Sequence, residues 1–174
     1  MSLLRFLGLG GGAESGEHEL EGVRTIVGAL ETLEPDRARY LAAFAYILSR
    51  VAHVDQQVSA EETTVIEEVV AREGHLPADQ ARLVVEIAKA QSVLFGGVED
   101  FLVTREFSTR ATDEQKLALL HCLFAVSSAD ESIAVVEDNE IRRITRELHI
   151  EHADYIAVRL AHRQQLSVLK PDEP

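Results

Sequence analysis

The chain has 174 residues, long enough to bury a core without disulfides or a structural metal. Its 30 acidic and 17 basic side chains leave a net charge of −13, a field that repels phosphate backbones and argues against nucleic acid as a partner. Aromatic residues make up 5% and Trp is absent, while 46% of residues are apolar, a balance that favours helices over sheets.

Met1 to Gly12 carries one Arg and a few apolar residues before three glycines. The apolar stretch is too short for a secretory signal, and residues 1–16 read as a flexible lead. From Glu19, the residues Leu20, Val23, Ile26, Val27, Leu30 and Leu33 recur at helical spacing until Pro35 ends the run. Asp36 is then placed as the cap of a second helix, whose apolar face is Leu41, Phe44, Ala45, Leu48, Val51 and Ala52. A third helix opens at Ser59, carries Val65, Ile66, Val69 and Val70, and stops at Gly74. Pro77 starts a fourth, which bears Leu83, Val84, Ile87, Val93 and Leu94 and closes at Gly96 and Gly97.

A shorter helix spans Val98 to Phe107, and Ser108 to Asp113 supplies turn and cap residues. Helices from about Glu114 to Ala129, Ala134 to His149 and His152 to Leu169 complete the chain before a polar tail at 170–174. No alternating apolar run is long enough for a strand. The expectation is an all-α compact bundle of about seven to eight helices over residues 17–169.

Cys122 lies in the apolar run from Leu119 to Val126. That setting makes it a packed thiol rather than a nucleophile, and one cysteine suits a reducing, cytoplasmic compartment. No apolar stretch reaches the ~18 residues of a membrane span, so any membrane association would be peripheral. The arginines Arg142, Arg143 and Arg146 share a helix with Glu140 and Glu147 and read as a solvated mixed-charge face. His53, His149 and His152 read as surface imidazoles, since a zinc site would want further defined ligands.

Sliding the sequence on itself by 75 positions pairs Asp55 with Asp130 and Glu62 with Glu137. The same shift sets Phe44 on Leu119, Leu48 on Leu123, Val58 on Ile133, Ile66 on Ile141, and Ala78-Asp79 on Ala153-Asp154. Two halves, about 36–96 and 112–169, thus share a helix-turn-helix-turn-helix plan with pseudo-twofold character. Each half sets an Asp at the end of one helix and a Glu in the first turn of the next.

The dipole favours the Glu at a helix start and opposes the Asp at the preceding helix end, so both halves break a local rule at the Asp. An Asp that accepts turn N–H groups would compensate. Ser59 and Glu62 also fit a capping box. Ala134 stands where the first half has Ser59, so Glu137 has no such box to explain it.

These residues resemble the tellurite-resistance TerB-like family, whose domains carry a motif close to Ala-Asp-Gly-x-apolar-x-x-x-Glu twice. Here the motif reads Val54-Asp55-Gln56-Gln57-Val58-Ser59-Ala60-Glu61-Glu62 and Ala129-Asp130-Glu131-Ser132-Ile133-Ala134-Val135-Val136-Glu137, and the likeness spans roughly Tyr40 to Leu169. Gln56 and Glu131 stand where the motif has Gly, and Val54 replaces the small residue before the first Asp. The resemblance implies a helical bundle whose paired acids bind a divalent cation. The candidate ligands are Asp55, Glu62, Asp130 and Glu137, with Glu61 and Glu140 as helpers and Ca²⁺, Mg²⁺ or Mn²⁺ as the ion.

One half offers too few oxygens for Ca²⁺, which takes six to eight in the usual case, so both halves would have to converge. The functional expectation is a non-enzymatic acidic module that binds a divalent cation, a protein partner, or both, in tellurite resistance or a stress response. The alternative is a protein scaffold whose acid pairs only cap helices. No Gly-rich phosphate loop, nucleophile elbow or Cys/His pair points to an enzyme.

Overall fold

The computed structural model describes residues 17–51, 59–90, 100–128, 133 and 135–162. Among these residues eight α-helices follow in chain order: α1 Glu17–Glu31, α2 Pro35–Val51, α3 Ala60–Glu73, α4 Ala78–Lys89, α5 Asp100–Arg110, α6 Asp113–Ser127, α7 Val135–Glu147 and α8 His152–Ala161. The fold is an all-helical bundle, as composition and periodicity predict. None of these helices is long and apolar enough to cross a membrane.

The centre of the bundle is α2, which packs against α1, α4, α5, α6 and α7. Neighbours on so many sides explain why every residue from Tyr40 to Leu48 is buried, rather than the single face that helical spacing predicts. A helix apolar all round belongs inside a core. The second inner helix, α6, buries Leu119, Leu120, Cys122, Leu123 and Phe124 and packs on α2, α3, α7 and α8. Phe107 of α5 stacks on Tyr40 at 5.3 Å and meets Phe44 edge-on at 6.3 Å, which seats α5 on α2.

Several helix ends differ from expectation for local reasons. Pro35 is the first residue of α2, and Glu34 accepts the first helical bond, from the Ala38 N–H at 2.9 Å. Proline's fixed φ and missing N–H suit that position, so Asp36 lies in the first turn rather than at the cap. Helix α5 runs through Ser108 and Thr109 because their hydroxyls find carbonyls of their own. Thr109 donates to Arg105 at 2.6 Å, and Ser108 donates to the Leu148 carbonyl beyond the end of α7 at 3.1 Å. Val93, Leu94, Gly96 and Gly97 of the predicted fourth helix, and 163–169 of the predicted last one, lie outside the described residues.

Gly74 ends α3, but not by adopting a left-handed conformation: its φ is −79°, and His75 takes the positive φ, 51°. Glycine is needed at position 74 for space. A Cβ there would stand 2.6 Å from the Val70 carbonyl oxygen and 3.2 Å from both Cys122 Sγ and Phe44 Cζ, so α3 closes on α2 and α6 at this point.

Helix α7 ends in the same way, with His149 at φ 56°. In both turns an N–H bonds back five residues, Leu76 to Ala71 and Ile150 to Thr145, each at 3.1 Å. The starts of α3 and α7 keep the 75-residue offset, and so do the buried pairs Thr63/Asp138 and Ile66/Ile141. Helix α7 is one residue shorter than α3. From the His75 and His149 turns onward the offset is therefore 74, and buried Ala81 and Val84 correspond to buried Tyr155 and Val158. The match of Ala78-Asp79 to Ala153-Asp154 is thus one residue out of register.

Candidate functional site

Glu62 and Glu137 are each the third residue of their helix, α3 and α7. Glu62 sits in the capping box that the sequence implies: the Ser59 N–H donates to Glu62 Oε2 at 2.8 Å, and the Glu62 N–H donates to Ser59 Oγ at 3.2 Å. The backbone bond from Ser59, helped by the serine side chain, holds the Glu62 carboxyl below its ordinary pKa. Glu61 beside it is exposed. Asp55, Asp130 and Ala134 lie outside the described residues.

One turn after Glu137, Glu140 is engaged by a residue that the sequence reading passed over. Arg50, at the end of α2, has a side chain only 5% exposed and reaches two carboxylates of α7 at once. Its Nε donates to Glu140 Oε1 at 3.0 Å, and its Nη1 donates to Glu147 Oε2 at 2.7 Å and to Thr104 Oγ1 at 2.8 Å. Arg143 adds an outer contact to Glu147 at 3.1 Å. Burial pushes the Glu147 carboxyl up, but hydrogen bonds and charge from Arg50 outweigh it and hold the pKa below its ordinary value. The face read as solvated is therefore half structural: its glutamates turn inward to clasp α2, and its arginines remain at the surface. A charged residue inside the apolar run of α2 was the available signal.

A second clasp ties α7 to α8. Asp138, its side chain 7% exposed, accepts from Arg159 Nε at 3.2 Å and Nη2 at 3.0 Å. This two-pronged geometry is the strong form of a guanidinium–carboxylate pair. Arg142 approaches the same carboxylate at 4.0 Å. Beside this pair a cleft of about 330 Å³ opens between α7 and α8, lined by Arg142, Arg146, Arg159, His152, Tyr155 and Ile156 among others. On its far side Arg142 and Arg146 also border a wider groove of about 820 Å³ that reaches Val136 and Glu137.

Two acid-bearing helix starts, 75 residues apart in a bundle that is helical throughout its described elements, are the arrangement that the doubled motif implies. The family model described as tellurite resistance protein TerB matches residues 40–160. The chain belongs to the TerB family. Neither among curated proteins nor among solved structures is there a significant match. The matched span takes in all of this TerB-family domain from α2 to α8 except the first residues of α2 and the last of α8.

Among the described residues of the TerB-family domain, no group of three or more His, Cys, Asp or Glu is placed to hold a metal ion. Cys122 is buried and donates to the Val70 carbonyl at 3.8 Å, and burial drives its pKa far above the ordinary thiol value. That is a packing thiol, as its apolar neighbours predict. His149 and His152 are exposed. His121 lies half-buried at 3.3 Å from His162, whose ring stacks on Phe124.

Proposed function

We propose that this TerB-family chain is a non-enzymatic scaffold domain that engages a protein partner in a tellurite-resistance or stress-response setting. The observation that carries this reading is the fate of the α7 carboxylates. Glu140 and Glu147 clasp Arg50, and Asp138 clasps Arg159, so these acids brace helices. The capping role of Glu62 points the same way. A braced bundle of this kind presents rigid faces to a partner, which keeps the ordering cost of binding low. The shared helix starts and the matching His75 and His149 turns support reading the two units as an internal repeat.

The test is reconstitution. Affinity purification of the full chain from its source cells, followed by recombinant assembly with the recovered protein, is expected to give a one-to-one or other fixed-ratio complex that persists in EDTA. Failure of every recovered candidate to assemble with the purified chain would overturn the scaffold reading.

A second reading has its own supporting observation, the identical placement of Glu62 and Glu137 at the third position of α3 and α7. In it, Asp55, Glu62, Asp130 and Glu137 share a hard divalent cation, with Glu61 and Glu140 nearby. Calorimetric titration with Ca²⁺, Mg²⁺ and Mn²⁺ tests it. Heat lost in the Asp55→Ala/Asp130→Ala variant supports it, and no heat with the unaltered chain sinks it.

A further inference from the structure

The cleft between α7 and α8 is unusual for this molecule. The chain carries a net charge of −13, yet the cleft is bordered by the guanidiniums of Arg142, Arg146 and Arg159, with Asp138 as the carboxylate facing them. Arg159 is largely satisfied by Asp138. Arg142 is half exposed and only at the outer limit of an ion pair with that same group. Arg146 is exposed and makes a long bond, 3.4 Å, to the Arg142 carbonyl, and no ion pair of Arg146 is found among the described residues.

Tyr155 adds an independent sign. The residue is 4% exposed and lines the cleft, and its hydroxyl oxygen lies against the Arg142 and Arg159 guanidiniums, which can only donate to it. The hydroxyl proton is therefore left without an acceptor among the described residues, beside arginines that favour an anion. The remaining wall is Thr145, His152, the partly buried Ile150 and Ile156, which is 36% exposed, with exposed Leu160 one turn further along α8. The neighbouring groove shares Arg142 and Arg146 and continues to Val136, which is 78% exposed. Glu137 and Glu140 also line that groove, so the guanidiniums without a facing glutamate are those of the cleft between α7 and α8.

We propose that this cleft is the docking site for an acidic segment of a partner protein. One carboxylate enters between Arg142, Arg146 and Arg159 and accepts the Tyr155 hydroxyl. An adjacent apolar side chain rests on Ile150 and Ile156. The proposal rests on the scaffold reading and names the kind of partner that the scaffold takes. Charge complementarity selects it: a partner rich in Asp and Glu is repelled by the rest of this surface and attracted here, which fixes where it lands.

The test uses the full chain and a fluorescein-labelled Glu-Leu-Glu-Asp-Leu-Glu peptide, read by fluorescence anisotropy. Saturable binding that weakens with salt is expected, with a loss of roughly tenfold in affinity for Arg146→Glu, whose side chain is exposed and carries no packing. Tyr155→Phe, which keeps the buried ring, is expected to cost a few-fold with an unchanged far-ultraviolet circular dichroism spectrum. No saturable binding to the full chain, or equal binding by the Arg146→Glu variant, would overturn the proposal. Displacement of the peptide by inorganic phosphate at matched concentration would also overturn it, because the site would then serve a free oxyanion. A reconstituted partner complex that is indifferent to Arg146→Glu removes the cleft and leaves the scaffold reading standing, so the two failures are distinguishable.

Discussion

Helices α3 and α7 open their units at matching positions, yet different forces hold them. The first is anchored locally: Ser59 and Glu62 close a capping box, and Ile66 and Val70 pack inward. Its buried polar residue is the neutral Thr63, met by Lys89 of α4 at 3.3 Å. In α7 the residue ahead of the helix is Ala134, which has no side-chain oxygen to offer, and the position of Thr63 is filled by the acidic Asp138. Its anchors are distant ones, Arg50 on α2 and Arg159 on α8. A helix held by its own cap can be altered without disturbing its neighbours. A helix held by ion pairs transmits any change of charge to two other helices, and its spare guanidiniums face outward, where a partner can use them.

The comparison breaks most visibly at Arg50. Its replacement by Ala leaves Glu140 and Glu147 together in a largely enclosed place with only the outer, exposed Arg143 as counter-charge, and removal of one member of a buried pair typically costs about 3–5 kcal/mol. A loss of about 3 kcal/mol in urea unfolding is expected for Arg50→Ala, since Glu140 remains a quarter exposed. A loss below about 1 kcal/mol would mean that α7 is held by Ile141 and Ile144 alone, and that the contrast with α3 is one of appearance.

Much of this architecture is legible in the residues. The helices among the described residues announce themselves through apolar spacing, and Ser59 with Glu62 and the packed Cys122 follow from local rules that the structure obeys. What is not legible depends on distance along the chain. The Arg50 clasp joins residues 90 and 97 positions apart, and no local pattern says which surface-looking glutamates turn inward. The cap at Thr112 with Gln115 was within reach, since Thr-x-x-Gln is a capping box. The one-residue slip after Ile66 and Ile141 was hidden because the chance match of Ala-Asp in both halves satisfied the wrong offset. His75 and His149 in the left-handed region were hidden too, since glycine or asparagine is the expected occupant.

A smaller effect tests the other side of the comparison. Ser59→Ala removes the α3 cap and leaves the Glu62 carboxylate with the backbone alone, for an expected loss of about 1 kcal/mol. Hydrogen exchange should localise the change. Amides in the first turn of α3 are expected to lose protection while those of α7 keep theirs. Equal loss in both helices would show that the two starts are coupled, which the cation reading requires and the scaffold reading does not.

The smallest effect is the most specific to α7, because it isolates the ionic share of its anchoring. Glu147 has a folded-state pKa below its ordinary value near 4.5, so the folded protein binds fewer protons than the unfolded chain at this group. Its contribution is therefore fully present above about pH 4.5 and is lost as pH falls through the depressed folded value. The measurement is the stability gap between the unaltered chain and Glu147→Gln, followed downward from neutral pH. Glu62, whose pKa is depressed as well, is present in both proteins and cancels in the difference. The gap is expected to stay level to about pH 4.5 and then to narrow, modestly, because burial of the same carboxylate opposes the pull of Arg50. A gap that stays constant to about pH 3 would show that Arg50 holds Glu147 by hydrogen-bond geometry that a neutral side chain reproduces, and α7 would then be anchored much as α3 is, by shape rather than by charge.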